Sequence, residues 1–282
     1  MKFETSVIEL IKKRQSKRSY TKKVIPLEVL NHIKSFIDSY TIGLFGNKIK
    51  FTIIEKDFTL KNQKIKLGTY GFIDGAKYFI AGEVKKNEYA FEDYGYLLEK
   101  IILHLTELNI GTCWLGGTFS RSDFAEVLHS ESDTIIPAIT PFGYASPIKT
   151  LKESTIRFAA KADSRKPWKE LFYKDNFSTP LTEEDADLFH IPLEMIRLAP
   201  SASNKQPWRI VKDNEMFHFY LKRTPGYNKY FKNIDLQKID MGIAMTHFEL
   251  ACNELNMKGK WEVNNFNKMA GDVEYIVSWI KE

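Results

Sequence analysis

Apolar side chains recur at two spacings along the chain, and together they predict both helices and strands. A spacing of three and four positions predicts short helices at residues 5–14, 25–40 and 183–199, and the second of these begins at Pro26. Two much longer stretches, 89–111 and 236–261, predict long buried helices. Runs of β-branched and aromatic residues predict strands at 48–56, 75–84, 135–146 and 274–280 and a hairpin at 207–222.

The order of these elements indicates a fold class. Strict alternation of strand and helix is typical of a parallel sheet with helices on both faces. Here helices and strands are both frequent but do not alternate regularly, and residues 156–173 look like a connecting segment with a short helix. We therefore predict an α+β fold, with a mixed or antiparallel sheet flanked by helices.

The two long predicted helices resemble each other in sequence. With residue 93 placed on residue 240, an offset of 147, seven of 22 positions are identical. The identical pairs lie on the helix and at its exit: Asp93 and Asp240, Gly95 and Gly242, Leu103 and Leu250, Glu107 and Glu254, Leu108 and Leu255, Asn109 and Asn256, Trp114 and Trp261. This pattern favours an internal duplication over chance similarity of two buried helices. It divides the chain into a first lobe, residues 1–175, and a second lobe, residues 176–282, arranged like the two subunits of a dimer.

Composition and charge narrow the class of protein. With 282 residues, 43% of them hydrophobic, the chain can bury a sizeable core. A net charge of +5, mixed along the chain, suits an anionic small molecule better than nucleic acid. Two cysteines without metal-ligand spacing, no signal peptide and no long apolar run predict a reduced, cytoplasmic protein that contacts neither membrane nor nucleic acid.

The segment "RQSKRSY" is the first candidate for chemistry. In an extended chain Arg14, Ser16 and Arg18 project from the same side. Two guanidinium groups and a hydroxyl can bind a phosphate, because arginine donates in a planar, bidentate geometry. A solvated basic stretch is an equally good interpretation of this lysine-rich segment, and a nucleic-acid patch is a weaker one.

Three further segments could contribute to a binding site. Gly116 and Gly117 follow the first long helix and would let a planar ligand approach the backbone, although a glycine turn is the alternative. The loop "LAPSASNKQPW", residues 198–208, either lines a polar ligand or simply ends a helix. Arg165 and Lys166 form a basic pair, which on its own indicates only a position on the protein surface. The sequence contains no glycine-rich dinucleotide motif, phosphate-binding loop or serine-hydrolase elbow.

Taken together, these segments resemble the FMN-dependent nitroreductase family. That family combines an Arg-x-Ser-x-Arg segment, a loop of the form Ala-Pro-Ser-x-x-Asn-x-Gln-Pro-Trp, a long helix running from Asp-x-Gly to a Leu-Gly exit, and a basic pair before Pro. Here these features stand at residues 14–18, 199–208, 93–117 and 165–167. The order of these features departs from the family. The Ser-Asn-Gln loop lies in the second lobe, and that lobe lacks a clear Arg-x-Ser-x-Arg segment and the Gly-Gly exit. The family normally binds FMN between two subunits, so the resemblance implies a single-chain pseudo-dimer with one FMN site.

The resemblance also implies an activity. It indicates an FMN-dependent oxidoreductase, a monomer that acts as a pseudo-dimer with further association left open. NADH or NADPH and a small nitroaromatic or quinone acceptor would bind in turn at one flavin site. The flavin would carry the chemistry, so no catalytic side chain and no metal are expected. A flavin-binding sensor or storage protein, or another flavin reaction such as reductive dehalogenation, is the alternative. The expected cofactor-binding residues are Arg14, Gln15, Ser16, Arg18, Leu115, Gly116, Gly117, Arg165, Lys166, Pro200, Ser201, Ala202, Ser203, Asn204 and Gln206.

Overall fold

Two β-sheets lie on either side of a pair of long helices. A computed structural model describes residues 3–56, 59–60, 63–64, 67–148, 150–159, 161–231, 233–264 and 269–282. The helices in this part of the chain are α1 (Val7–Lys13), α2 (Leu27–Asp38), α3 (Ala90–Glu107), α4 (Arg121–Leu128), α5 (Leu151–Ala159), α6 (Glu183–Ala186), α7 (His190–Leu198) and α8 (Leu236–Glu254). The strands are β1 (Ile49–Glu55), β2 (Thr59–Leu60), β3 (Gln63–Lys64), β4 (Tyr78–Lys85), β5 (Gly111–Thr112), β6 (Thr134–Ile135), β7 (Ile139–Gly143), β8 (Phe172–Lys174), β9 (Trp208–Asp213), β10 (Met216–Lys222), β11 (Gly259–Glu262), β12 (Met269–Ala270) and β13 (Val273–Lys281).

The topology confirms the predicted α+β class. The first sheet has the order β1-β4-β7-β5, with β6 beside β4, and all its pairs are antiparallel. The second sheet has the order β11-β13-β10-β9-β8, with β12 beside β13. Its β8–β9 pair is parallel, which makes this sheet mixed. Strand β8 lies before residue 176 but belongs to the second sheet, so the sheet begins earlier in the chain than the predicted second lobe.

Proline and backbone geometry explain where the structure departs from the predicted elements. The strand expected at 135–146 is divided into β6 and β7 around Pro137, which has no amide hydrogen for a ladder. The helix expected at 183–199 is divided into α6 and α7 by a 3₁₀ turn, where Asp187 has a φ of 52°. Helix α4 was not predicted, because its short apolar stripe is only Phe124 and Val127.

Helices α3 and α8 pack directly on each other at the centre of the molecule. Both are buried on nearly all sides, as their length and apolar content predict. They approach closely because each has a glycine at the contact. A Cβ atom on Gly242 would lie 2.7 Å from the Tyr96 amide nitrogen, and one on Gly95 would lie 2.9 Å from the carbonyl carbon of Ile239. Each glycine therefore accommodates the backbone of the other helix.

Polar contacts around this helix pair follow the same two-fold pattern. The Trp114 indole donates to Glu99 at 2.6 Å, and the Trp261 indole donates to Glu249 at 2.7 Å. Each glutamate also meets a basic side chain from the other long helix: Glu99 lies 2.9 Å from His247, and Glu249 lies 3.2 Å from Lys100. Trp114 and Trp261 are one of the identical pairs in the sequence, and each donates to a glutamate of its own long helix, although Glu99 and Glu249 are not aligned at the offset of 147.

A second identical pair holds α1. The Glu107 carboxylate accepts hydrogen bonds from the amides of Glu4 and Thr5, both at 2.8 Å. The Glu254 carboxylate accepts from the Val7 amide at 2.5 Å and the Ser6 hydroxyl at 2.6 Å. The C-terminal ends of α3 and α8 thus both bind the N-terminus of α1, where negative charge also complements the helix dipole. These bonds fix the position of α1, and the Arg-x-Ser-x-Arg segment begins directly after that helix.

Candidate functional site

A cavity of about 480 Å³ lies where these elements meet. This volume is within the range of small-molecule sites, about 300–1,000 Å³. Its walls come from the segment after α1, the segment after β5, the segment before β8, the loop after α7 and the first turns of α8. All the predicted site residues line it except Lys166 and Gln206. Arg18 and Asn204, far apart in the sequence, share this cavity.

The Arg-x-Ser-x-Arg segment is extended, as its predicted function requires. Helix α1 ends at Lys13, and Ser16 then forms a parallel bridge with Thr112 of β5. The Lys17 amide donates to the Thr112 carbonyl at 2.7 Å. The first sheet thus holds this segment straight, with Arg14, Ser16 and Arg18 on the cavity side.

Three guanidinium groups at the cavity have donor atoms that are not used within the described part of the chain. Arg14 Nε, Arg18 Nη1 and Arg165 Nε are buried and find no hydrogen-bond acceptor there. Arg14 Nε lies 3.8 Å from Glu99 Oε1, an ion-pair distance but not a hydrogen bond. Buried donors of this kind are costly unless something accepts from them. Their chemistry fits a phosphate.

The charge around Arg165 supports the same conclusion. Burial lowers the pKa of Arg165, and the positive charges of Arg14 and Arg197 lower it further. Its terminal nitrogens donate to three backbone carbonyls, including that of Leu198 at 3.0 Å, so its position is fixed despite this repulsion. Like charges held together at a cavity wall favour an anionic ligand.

The two glycines after β5 allow this segment to pack against the residues at and before the start of α8. Leu115 pairs with Ile139 of β7 through two backbone hydrogen bonds of 2.9 Å. A Cβ on Gly116 would lie 2.6 Å from Leu236 Cδ2, and one on Gly117 would lie 2.9 Å from Phe231 Cζ. The glycines therefore make room for side chains of the second lobe, a reason that sequence alone did not reveal. Their backbone still forms part of the cavity wall.

The loop after α7 is strained and held by its own polar side chains. Ser203 and Asn204 have φ values of 49° and 53°, in the left-handed region that non-glycine residues seldom adopt. The Asn204 side chain donates to the carbonyls of Lys161 at 2.7 Å and Ser164 at 3.1 Å. The Ser201 hydroxyl accepts from the Gln206 amide at 2.9 Å. These bonds explain why the segment is rich in Ser, Asn and Gln.

Lys166 and Gln206 were predicted to bind the cofactor, but the structure places both outside the cavity lining. Gln206 Oε1 accepts from the Lys166 amide at 2.8 Å, and its Nε2 donates to Asn204 at 3.1 Å. The Lys166 ammonium lies 3.9 Å from Glu170. The two residues join the loop to the basic segment, so they support Arg165 and Asn204.

Several lining residues were missed by sequence reasoning. Phe72, Tyr227 and Phe231 add aromatic surface, and they lie in segments without a periodic pattern that could have located them. Asp240 also lines the cavity, and its identity with Asp93 in the repeat was the signal that could have found it. Arg121 supports the wall from outside by donating to the carbonyls of Gly116 and Pro137.

Two titratable groups beside the cavity, a thiol and a phenol, are made harder to ionise by burial. Burial raises the pKa of the Cys113 thiol, and the neighbouring Arg18 opposes this only in part. Burial also raises the pKa of Tyr227, whose hydroxyl lies 3.1 Å from that of Ser203. Within the described ranges, no group of three or more His, Cys, Asp and Glu side chains could hold a metal ion. In the same ranges no helix has the length and hydropathy needed to cross a membrane.

The fold is that of the nitroreductase class. The sequence profile of the family described as "Putative TM nitroreductase" matches residues 6–252, and the chain belongs to this family. A structure described as a "putative nitroreductase" from Thermotoga maritima is 20% identical, with a TM-score of 0.61 over 99% of this chain and 95% of that one. At this identity the similarity shows the fold.

Shorter solved nitroreductases match about half of the chain. One from Bacteroides fragilis, described with bound FMN, is 21% identical and has a TM-score of 0.41 over 52% of this chain and 92% of its own. An "FMN-dependent Nitroreductase" from Clostridium difficile is 22% identical, with a TM-score of 0.38 over 51% of this chain and 90% of its own. No curated protein matches the chain.

Proposed function

We propose that this chain is an FMN-dependent NAD(P)H oxidoreductase with one flavin site between its two lobes. The observation that carries the proposal is the set of three buried guanidinium nitrogens, of Arg14, Arg18 and Arg165, that find no acceptor among the described residues. They lie at a cavity of about 480 Å³ that also has aromatic and backbone walls. A phosphate attached to a planar ring fits both parts of this cavity. Family membership and the FMN described in one relative support the same cofactor.

Each wall would then have its own task. Arg14, Arg18 and Arg165 would bind the phosphate by charge-assisted hydrogen bonds, with Ser16 and Gln15 beside them. The backbone of Leu115, Gly116 and Gly117 would meet the ring from the first lobe. The loop residues Pro200, Ser201, Ala202, Ser203 and Asn204 would meet it from the second lobe. Lys166 and Gln206 would act indirectly, by fixing the loop.

The chemistry would come from the cofactor. When bound, FMN would supply hydride transfer between NADH or NADPH and a small acceptor such as a nitroaromatic or a quinone. The protein's residues would hold the ring, exclude water and provide a slot for planar molecules between Phe72, Tyr227 and Phe231. No side chain is assigned as a catalytic acid or base.

The paired contacts of α3 and α8 support an internal duplication into the two lobes predicted at residues 1–175 and 176–282, with β8 of the first range joining the second sheet. We propose one cofactor per chain, in the basic cavity described above. We infer a monomeric, cytoplasmic enzyme. A sedimentation experiment that gives twice the mass of the chain, 32.8 kDa, would contradict the monomer.

Anaerobic titration tests the activity. The protein loaded with FMN is expected to lose its visible flavin absorption when NADH or NADPH is added and to regain it when a quinone or nitroaromatic is added. A protein that binds FMN but does not bleach with either nucleotide would favour the sensor or storage alternative. Bleaching that only a halogenated substrate reverses would favour reductive dehalogenation. A protein that does not bind FMN would refute the site.

A further inference from the structure

Two aspartates at equivalent positions of the repeat have different surroundings. Asp93 is fully buried on α3, and both of its carboxylate oxygens accept hydrogen bonds. Oδ1 accepts from the Phe45 amide at 2.9 Å, and Oδ2 accepts from the amide and the side chain of Asn47 at 3.1 and 3.0 Å. Asp93 therefore fastens the loop that follows α2.

Asp240 holds the corresponding loop of the second lobe with one oxygen only. Its Oδ1 accepts from the Ala202 amide at 2.9 Å. Its Oδ2 is buried and finds no hydrogen-bond partner in the part of the chain that the structure describes. The residue is 2% exposed, yet it lines the cavity, unlike Asp93.

The surroundings of Asp240 favour its uncharged form. Burial raises the pKa of the Asp240 carboxyl well above its usual range, and the hydrogen bond from Ala202 opposes this only in part. A neutral carboxyl that accepts through one oxygen has a hydroxyl on the other, which is a hydrogen-bond donor. A buried donor without an acceptor costs stability unless a ligand accepts from it.

We propose that Asp240 binds the cofactor ring directly, by donating a hydrogen bond from Oδ2 to a carbonyl oxygen or ring nitrogen of the bound flavin. This inference rests on the proposed FMN site and adds to it a side-chain contact from the second lobe. The unused oxygen, the position in the cavity wall and the contrast with Asp93 all support it. The ring edge would be recognised by a neutral acid, while the phosphate is recognised by arginine.

The test compares three variants with the wild-type protein. Asp240→Ala removes the donor, Asp240→Asn keeps an acceptor for Ala202 and offers an amide donor, and Asp93→Ala removes the equivalent carboxyl of the first lobe. FMN is titrated into each apoprotein by calorimetry, the visible spectrum of the saturated complex is recorded, and the apoprotein is unfolded in urea.

The expected results separate binding from folding. Asp240→Ala should bind FMN at least tenfold more weakly, and the absorption maximum of its saturated complex should shift, because a donor to the ring is lost. Its apoprotein should lose less urea stability than that of Asp93→Ala, because it loses one hydrogen bond, from the Ala202 amide, where Asp93→Ala loses three. Asp240→Asn should bind within about threefold of the wild type. Asp93→Ala should lower the urea midpoint while its FMN affinity and spectrum stay the same.

Each other outcome decides against the inference. Wild-type affinity or an unshifted spectrum in Asp240→Ala would assign the residue to loop anchoring alone. Failure of that variant to fold would show that the carboxyl serves the fold, and it would refute the inference in the same way. If wild-type protein takes up no FMN, the proposed function fails together with the inference, whereas the first two outcomes leave the proposed function intact.

Discussion

The contact between α3 and α8 predicts that Gly242→Ala lowers the free energy of unfolding, although helix propensity alone predicts that it raises it. Gly242 lies inside α8, and in an isolated helix Gly→Ala gains about 1 kcal/mol of stability. In this protein the added Cβ would lie 2.7 Å from the Tyr96 amide nitrogen, where about 3.5–4.0 Å is comfortable. The clash is with the backbone of a buried helix, which cannot turn aside as a flexible side chain could.

The magnitude follows from these two opposing terms. Overpacking a core typically costs about 1–3 kcal/mol, and a clash with backbone belongs at or above the upper end. Subtracting the propensity gain of about 1 kcal/mol leaves a loss of about 2 kcal/mol or more for Gly242→Ala. Since the cavity lies between the lobes, FMN affinity should fall as well.

Urea unfolding measures this loss. The control is Asn253→Ala, an exposed position on the same helix, which should be neutral or gain a few tenths of a kcal/mol. Gly95→Ala should behave like Gly242→Ala, because its Cβ would meet the backbone of Ile239. If Gly242→Ala is as stable as the wild type or more so, the helices do not pack as closely as described and the reasoning fails.

Two further predictions concern charge. Arg18→Ala should weaken FMN binding about tenfold or more, because a charge-assisted hydrogen bond contributes about 1.5–3 kcal/mol. The control Lys22→Ala, at an exposed position, should leave FMN affinity unchanged. Equal losses of affinity in the two variants, measured by calorimetric titration, would favour a diffuse basic patch. The second concerns Glu92, whose pKa burial raises to about 7 against the partly compensating charge of Lys238. Because the folded-state pKa is the higher one, its contribution to stability is complete below about pH 4.5 and is lost as the pH rises through about 7, a decline of about 3 kcal/mol. Glu92→Gln should flatten this decline in urea unfolding measured from pH 4.5 to 8, and an unchanged pH profile would contradict the assignment.

The sequence predicted the fold class, and most of the site residues that it predicted line the cavity, for physical reasons that can be named. The helices α3 and α8 were predictable because their apolar content continues over many turns. Part of the cavity lining was found because segments rich in Arg, Gly, Ser and Asn interrupt the apolar pattern that predicts the helices. Arg14, Arg18 and Asn204 are all at the cavity, as the resemblance implied.

What could not be predicted depends on contacts between distant parts of the chain. Gln206 resembles a ligand-binding residue in sequence, but its hydrogen bond to the Lys166 amide turns it away from the cavity. The glycines at 116 and 117 suggested room for a ligand, yet Leu236 and Phe231 use that room. Asp240 could be paired with Asp93 by the repeat, but only the structure shows that one of its oxygens is left over.

The attachment of α1 determines when the cavity can be completed. Its N-terminus is bound by Glu107 and also by Glu254, whose hydrogen bonds to Ser6 and Val7 span 248 and 247 positions of the chain. Contacts of such high sequence separation form late, because the chain must close a very long loop before they are made. Until α8 is in place, helix α1, which precedes Arg14, is held by Glu107 but not by Glu254. An emerging chain therefore carries Arg14 and Arg18 early but can organise them only after α8 has been made, so capture of the proposed cofactor would belong to the last stage of folding.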